Sequence, residues 1–87
     1  MSYEKDLPPI SNKAKALKPG LYRHFKGDDF KVICVARHSE SRDEEFVIYQ
    51  SLKYPDRIWA RPFSMFTEHV SRGTYEGPRF TYLGPSK

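Results

Sequence analysis

Residues 30–37 have the sequence FKVICVAR, and this stretch decides the fold class. Its aromatic and β-branched residues follow the period of two that is typical of a β-strand. One face of a regular strand here would carry Phe30, Val32, Cys34 and Ala36, and the other face would carry Ile33 and Val35. Because both faces are apolar, we predict a central or strongly curved strand rather than one with a side in water.

Four other short runs show the same pattern, with turn residues between them: 21–25, 45–50, 57–61 and 79–83. Pro62 ends the run 57–61 because proline donates no hydrogen bond to a sheet, and residues 63–67 fit a single helical turn. We therefore predict an all-β fold, a small SH3-like barrel of five or six short strands with one short helical turn. Closing the sheet would remove most exposed edges. An OB-fold is the second choice.

The chain of 87 residues has room for one domain, which we place at residues 19–87. Residues 1–18 are polar, with Pro8-Pro9 excluding a helix there and residues 13–18 long enough for one or two helical turns. We expect this segment to be a mobile N-terminal arm, since helices that short are marginal without packing. The alternative is that Leu7, Ile10 and Leu17 pack on the body.

The overall charge permits nucleic-acid binding without arguing for it. Fifteen Lys and Arg against eleven Asp and Glu give +4 and a pI near 9.3. Half of this excess lies in residues 1–18, where four lysines face two carboxylates, so the body carries only +2. Nucleic-acid binders usually concentrate more charge on one face.

Cysteine usage and hydropathy indicate a soluble cytoplasmic protein. Cys34 is the only cysteine, and its position in an apolar run predicts a buried, structural thiol. No apolar stretch approaches the roughly 20 residues that a membrane span requires, and the N-terminus lacks a signal-peptide pattern. The histidines and Cys34 match no metal-ligand spacing, so we predict neither a metal nor another cofactor.

Several short motifs resemble a bacterial family known only as domain of unknown function 1653. They are residues 18–27 (KPGLYRHFKG), 35–40 (VARHSE), 47–49 (VIY), 58–62 (IWARP), 65–66 (MF) and 78–80 (PRF), which together span residues 18–83 in the family's order. The resemblance implies an SH3-like barrel and no established activity, substrate or cofactor. The residues that match the family pattern best are Tyr22, His24, Lys26, Gly27, Arg37, His38, Ser39, Glu40, Tyr49, Trp59, Arg61, Pro62, Phe66, Arg79 and Phe80.

The clearest binding motif is Arg57-x-Trp59-x-Arg61, because residues two apart on a strand share a face. An indole between two guanidiniums can stack on a base, while the arginines contact phosphate. A lone tryptophan in a small barrel is more often part of the core, and this is our first interpretation of Trp59. If Trp59 instead faces out, Ile58 and Ala60 should face the core.

Two catalytic interpretations are weak. Cys34 and His38 in one extended strand would be about 13 Å apart, too far for proton transfer. His38-Ser39-Glu40 resembles a triad fragment, but neighbouring side chains diverge. We predict instead a polar loop in which Ser39 and Ser41 form hydrogen bonds with nearby backbone and Glu40 forms an ion pair with Arg37 or Arg42. The alternative is an anion site at Arg37 and His38.

Our functional prediction is a non-enzymatic small-barrel binding module for single-stranded RNA or another polyanion. The candidate binding residues are His24, Lys26, Arg37, His38, Glu40, Tyr49, Trp59 and Arg61. One alternative is a protein-interaction adaptor with an aromatic groove formed by Tyr22, Tyr49, Tyr54, Tyr75 and Tyr82. A second alternative is a small-ligand or enzymatic site around His24, Arg37, His38 and Glu40. We expect no membrane partner, and the sequence leaves the oligomeric state open.

Overall fold

The computed structural model describes residues 9–41 and 43–86. Its elements, in chain order, are α1 (Asn12–Ala16), β1 (Gly20–His24), β2 (Asp29–Arg37), β3 (Glu45–Ser51), β4 (Ile58–Pro62), α2 (Phe63–Phe66), β5 (His69–Arg72), β6 (Tyr75–Pro78) and β7 (Phe80–Gly84). No helix among these has the length and hydropathy needed to cross a membrane.

The strands form two antiparallel sheets. The main sheet has five strands in the order β4-β3-β2-β1-β7, and β5 and β6 form a separate hairpin. This confirms the predicted small, SH3-like all-β fold with its short helical turn. Two details differ from the prediction: the main sheet is open, with β4 and β7 at its edges, and the strands number seven in the residues described. The additional hairpin arises because the chain reverses at Gly73, whose φ of 57° suits glycine.

A β-bulge in β2 sets which residues face the core. Val32 pairs with Tyr49, but Cys34 rather than Ile33 pairs with Ile48, so one residue is inserted. The inserted residue reverses the alternation, and Val35 then joins Val32 on the side of Val47 and Tyr49. The prediction that Cys34 is buried is therefore wrong: its side chain is exposed.

The core lies between the main sheet and α2. Its buried members are Tyr22, Val32, Val47, Tyr49, Phe66 and Phe80. The rings of Phe66 and Phe80 stack with centroids 4.1 Å apart, which joins α2 to β7. Phe66 also contacts the ring of Tyr49 at 5.4 Å. Such aromatic pairs contribute about 0.5 to 1.5 kcal/mol beyond the burial of their area.

The described part of the N-terminal segment packs on the body. Ser11 caps α1, with its Oγ accepting from Ala14 N at 3.1 Å, and Ser11 also donates through N and Oγ to the Glu45 carboxylate at 2.7 Å each. Ala14 is buried and Leu17 packs against the core. Leu7 and the rest of the predicted arm up to residue 8 lie outside the described residues, and Arg42 does as well.

Candidate functional site

A pocket of about 320 Å³ opens on the core side of the main sheet. It collects side chains from β1, β2, β3, β4, β7 and the two turns that join β1 to β2 and β3 to β4. The lining residues are His24, Lys26, Asp28, Phe30, Tyr49, Ser51, Tyr54, Arg57, Trp59, Arg61 and Phe80. Five of the eight predicted binding residues meet here: His24, Lys26, Tyr49, Trp59 and Arg61.

Trp59 forms one wall of this pocket. It pairs with Tyr49 across β3 and β4, so it lies on the core side of the sheet, yet 49% of it is exposed. The interpretation of Trp59 as a core residue is therefore wrong. The reason is that β4 is an edge strand, and the rings of Phe66 and Phe80 that cover Tyr49 leave Trp59 half exposed.

The prediction that Ile58 and Ala60 face the core if Trp59 faces out is also wrong. Ile58 and Ala60 point to the opposite face of β4, but none of the residues in 9–41 and 43–86 covers them there, and both are exposed. Alternation along a strand predicts which residues share a side. It does not predict whether another element covers that side.

Arg61 is held between two aromatic residues. Its Nε donates to the Tyr49 hydroxyl at 3.1 Å, and its guanidinium carbon lies 5.8 Å from the centre of the Phe80 ring. The side chain is half-buried, so the charge sits in a partly apolar environment. A guanidinium fixed in this way keeps its remaining N–H groups available to an anion.

The turn between β3 and β4 supplies a second aromatic and cationic pair. Ser51 is buried, and its Oγ accepts from Tyr54 N at 3.0 Å, while its own N–H donates to the Arg57 carbonyl at 3.0 Å. These bonds close the turn and place the Arg57 guanidinium 4.3 Å from the Tyr54 ring centre. Sequence reasoning names Tyr54 only in the tyrosine groove of the adaptor alternative, and it misses Ser51 because a serine in a strand carries no distinctive local signal.

His24 lies at the opposite side of the pocket, at the end of β1. Its ring packs against Phe25 and Phe80, with centroids 4.6 and 4.9 Å away. Burial, followed by the positive charges of Arg61, Arg79 and Lys26, lowers the pKa of His24 from 6.5. The imidazole is therefore neutral at pH 7, and because Nδ1 accepts from Lys26 N at 3.1 Å, Nε2 carries the proton.

Arg37, His38 and Glu40 lie at the other end of β2 and do not line this pocket. In this loop the hydrogen bonds to the backbone that we predicted for serines are made by His38. Its Nδ1 accepts from the N–H groups of Glu40 and Ser41 at 3.0 Å each. The four residues of the predicted small-ligand or enzymatic site are thus not brought together. A pair between Glu40 and Arg42 falls outside the described residues.

The predicted tyrosine groove is also divided. Of its five members, only Tyr49 and Tyr54 line the pocket. Tyr22 is in the core, where Tyr82 packs against it, and Tyr75 stacks on Phe25 while donating to the Pro78 carbonyl at 2.6 Å. In the part of the chain that the structure describes, no three His, Cys, Asp or Glu residues form a group suited to a metal ion.

Fold and pocket together define a small all-β domain with an open aromatic and basic pocket. The chain belongs to the family described as Protein of unknown function (DUF1653), whose model matches residues 20–82, and this confirms the resemblance. Its fold is similar to the crystal structure of a DUF1653 protein from Bordetella bronchiseptica, with 33% identity and a TM-score of 0.73. The similarity covers 85% of this chain and 96% of that one. No curated protein matches the chain significantly.

Proposed function

We propose that this protein is a non-enzymatic binding module whose pocket takes an unpaired nucleotide of single-stranded RNA or of a similar polyanion. The observation that carries the proposal is that a half-exposed indole and three cationic side chains line the same pocket. Trp59, Arg57, Arg61 and Lys26 line one pocket, although Lys26 comes from the far side of the sheet.

The charge of the lining favours an anion. Lys26, Arg57 and Arg61 oppose one carboxylate, that of Asp28, while His24 is neutral at pH 7. An anionic ligand therefore meets a surplus of two positive charges in a recess that is partly closed to water. Phosphate contacts of this kind steer and strengthen nucleic-acid binding.

The aromatic lining favours a base. Trp59 is exposed enough to stack on a planar ring, and Tyr54 with Arg57 extends the aromatic surface along the turn. Stacking of one base on an aromatic side chain contributes about 1 to 3 kcal/mol. A base is free to stack in this way only when it is unpaired, which favours a single strand over a duplex.

The size of the pocket favours one nucleotide rather than a longer segment. About 320 Å³ is at the lower end of the roughly 300 to 1,000 Å³ that small-ligand sites occupy. The remainder of an oligonucleotide would then run over the exposed surface beside Trp59 and Arg57.

The same lining supports the proposal of a non-enzymatic role. Among the described residues that line the pocket, His24 is the one histidine and Asp28 is the one carboxylate. The Nδ1 of His24 already accepts a hydrogen bond from the backbone N–H of Lys26. A catalytic relay through that nitrogen would have to break this bond. We also propose a cytoplasmic location, with which a single-stranded RNA ligand is compatible.

The test is an NMR titration of the folded protein with a mixed-sequence single-stranded RNA at about 50 and 200 mM salt. We expect shifts at the Trp59 indole and at Arg61 that shrink at the higher salt. Trp59→Leu should weaken binding by about tenfold or more, the loss expected for one stacked base, while Ile58→Ala, on the other face of the same strand, should leave it unchanged. An absence of shifts at low salt would exclude nucleic acid. Binding to a protein that is insensitive to salt and to loss of Arg61 would favour the adaptor alternative.

A further inference from the structure

We propose that Asp28 selects the base in this pocket, so that cytosine is bound in preference to uracil. This inference rests on the proposed function and names the ligand class more closely. It starts from an imbalance in the lining: the pocket offers many hydrogen-bond donors and one carboxylate.

The donors can be counted from the contacts already made. His24 Nε2 carries the imidazole proton, because Nδ1 accepts from Lys26 N. The Tyr49 hydroxyl accepts from Arg61, and the Ser51 hydroxyl accepts from Tyr54 N, so each still has its own proton to donate. The ammonium and guanidinium groups of the lining donate only. A ligand made wholly of acceptors would satisfy all of these groups but would leave the carboxylate facing it without a donor.

Asp28 is available for such a donor. Its backbone carbonyl accepts from His24 N at 2.8 Å, and Gly27 N donates to the His24 carbonyl at 2.8 Å, so the β1–β2 turn is fixed. Among the described residues, the Asp28 carboxylate forms neither a salt bridge nor a side-chain hydrogen bond, in contrast to its neighbour Asp29, which pairs with Arg23 at 2.7 Å. The carboxylate is exposed at the rim of the pocket, where a ligand can reach it.

Its position suits the edge of a base that stacks on Trp59. Trp59 lies on β4, and Asp28 lies in the turn before β2, on the far side of β3. From β4 to β1 the sheet spans three strand spacings, roughly 14 Å if flat and less across a curved sheet. In the proposed arrangement the plane of the stacked base points toward the turn, so that an edge rather than the ring face meets Asp28.

The proposal places ring position 4 toward Asp28, and cytosine and uracil carry opposite hydrogen-bonding groups at that position. Cytosine presents an N4 amino group, which donates to carboxylates, whereas uracil presents the O4 oxygen, which only accepts. An O4 oxygen facing Asp28 would leave two acceptors opposed without a proton between them. The cations of the pocket bind the phosphate of either nucleotide equally well.

The experiment compares the affinities of the protein for hexacytidylate and for hexauridylate. Binding is measured by the fluorescence of Trp59 at about 50 mM salt. We expect the cytidine oligomer to bind about tenfold more tightly, within the range of discrimination by one base-edge contact. Asp28→Asn should remove this preference, because an amide both donates and accepts. The matched control is Asp43→Asn, an exposed aspartate that lies outside the pocket and should leave the tenfold ratio unchanged.

The outcomes separate the two proposals. Equal binding of both oligomers by the native protein would overturn the role of Asp28 and leave the binding module intact. A rise in affinity for both oligomers in Asp28→Asn with the native ratio preserved would also overturn it, since the carboxylate would then act by charge alone. No binding of either oligomer would overturn the proposed function itself.

Discussion

Arg61 donates a hydrogen bond of 3.1 Å from its Nε to the hydroxyl of Tyr49, which ties the cationic rim of the pocket to a core residue only 4% exposed. The edge strand β4 thus presents its arginine at a fixed position, although within the described part of the chain this strand pairs on one side only. A side chain held in this way loses less conformational entropy when it meets a ligand than a free arginine would.

Removing this hydrogen bond should weaken both stability and binding. We expect Tyr49→Phe to lower the free energy of unfolding by about 1 kcal/mol. We also expect it to lower the affinity for RNA several-fold, because Arg61 loses its anchor. Urea unfolding and the RNA titration measure the two effects.

The control is Tyr22→Phe, which removes a hydroxyl that donates to the Lys18 carbonyl at 2.6 Å, outside the pocket. It should cost similar stability and leave affinity unchanged. If both variants weakened binding equally, the anchoring of Arg61 would play no part in it.

Trp59 should behave as an exposed tryptophan. Because it is the only tryptophan and is 49% exposed, the emission of the folded protein should be red-shifted and acrylamide should quench it readily. Adding RNA should reduce that quenching. A blue-shifted emission that acrylamide scarcely affects would place the indole in the core and remove the stacking surface.

Cys34 should react with a thiol reagent in the folded protein, because the bulge in β2 turns it to the surface. We expect the rate to be within a few-fold of the rate in urea. Cys34→Ser should change the free energy of unfolding by less than about 0.5 kcal/mol, as for most surface substitutions. Val47→Ala, at a fully buried position, should cost about 2 kcal/mol in comparison. A thiol that reacts only after unfolding would show that the regular alternation, rather than the bulge, is correct.

The imidazole of His24 should titrate below pH 6.5, as NMR of the ring would show. Burial is the main cause, and Arg61 is the next, so Arg61→Gln should raise the pKa without restoring its ordinary value. Because the unfolded chain takes up this proton more readily than the folded one, His24 contributes stability above pH 6.5 that is lost as pH falls through the lower folded pKa. A pKa at or above 6.5 in the free protein would contradict the described environment.

A bound phosphate should act on His24 in the opposite sense. Its negative charge favours the imidazolium, so the pKa of His24 should rise in the complex and affinity should increase as pH falls from about 7.5 to 6. An affinity independent of pH over this range would mean that the phosphate lies away from His24.

Ser11 should stabilise the protein in a pH-dependent way. The backbone N–H and then the hydroxyl of Ser11 lower the pKa of Glu45 by hydrogen bonding. The stability from this contact is therefore present above the ordinary carboxyl pKa and is lost as pH falls through the lower folded value.

The corresponding test is Ser11→Ala. It should cost about 1 kcal/mol at pH 7, mostly through the lost N-cap, and less at pH 3 in urea unfolding. Ser39→Ala, in an exposed loop, serves as the control. An equal cost at both pH values would show that the hydrogen bond from the Ser11 hydroxyl to Glu45 does not stabilise α1, since the backbone N–H of residue 11 remains in this variant.

Short-range pattern was sufficient to predict the five strands of the main sheet and the helical turn α2, but it did not predict the hairpin of β5 and β6. The runs from Leu21 to Phe25 and from Phe30 to Arg37 are strands, and the helical turn follows Pro62, because period-two alternation and proline act over a few residues. The pattern failed at Ile33, where an inserted residue reverses the alternation. A bulge depends on pairing with β3, and nothing in the local sequence marks it.

The sequence by itself determined the strand pattern, the family motifs and the side of β4 that Trp59 shares with Arg61. Only the tertiary structure decided that this side is open at Trp59, that Arg37 and His38 are remote from it, and that Asp28 joins it. The physical reason is that alternation fixes direction along one strand. Exposure and proximity depend on which elements lie above and beside that strand, and those contacts join residues far apart in the chain.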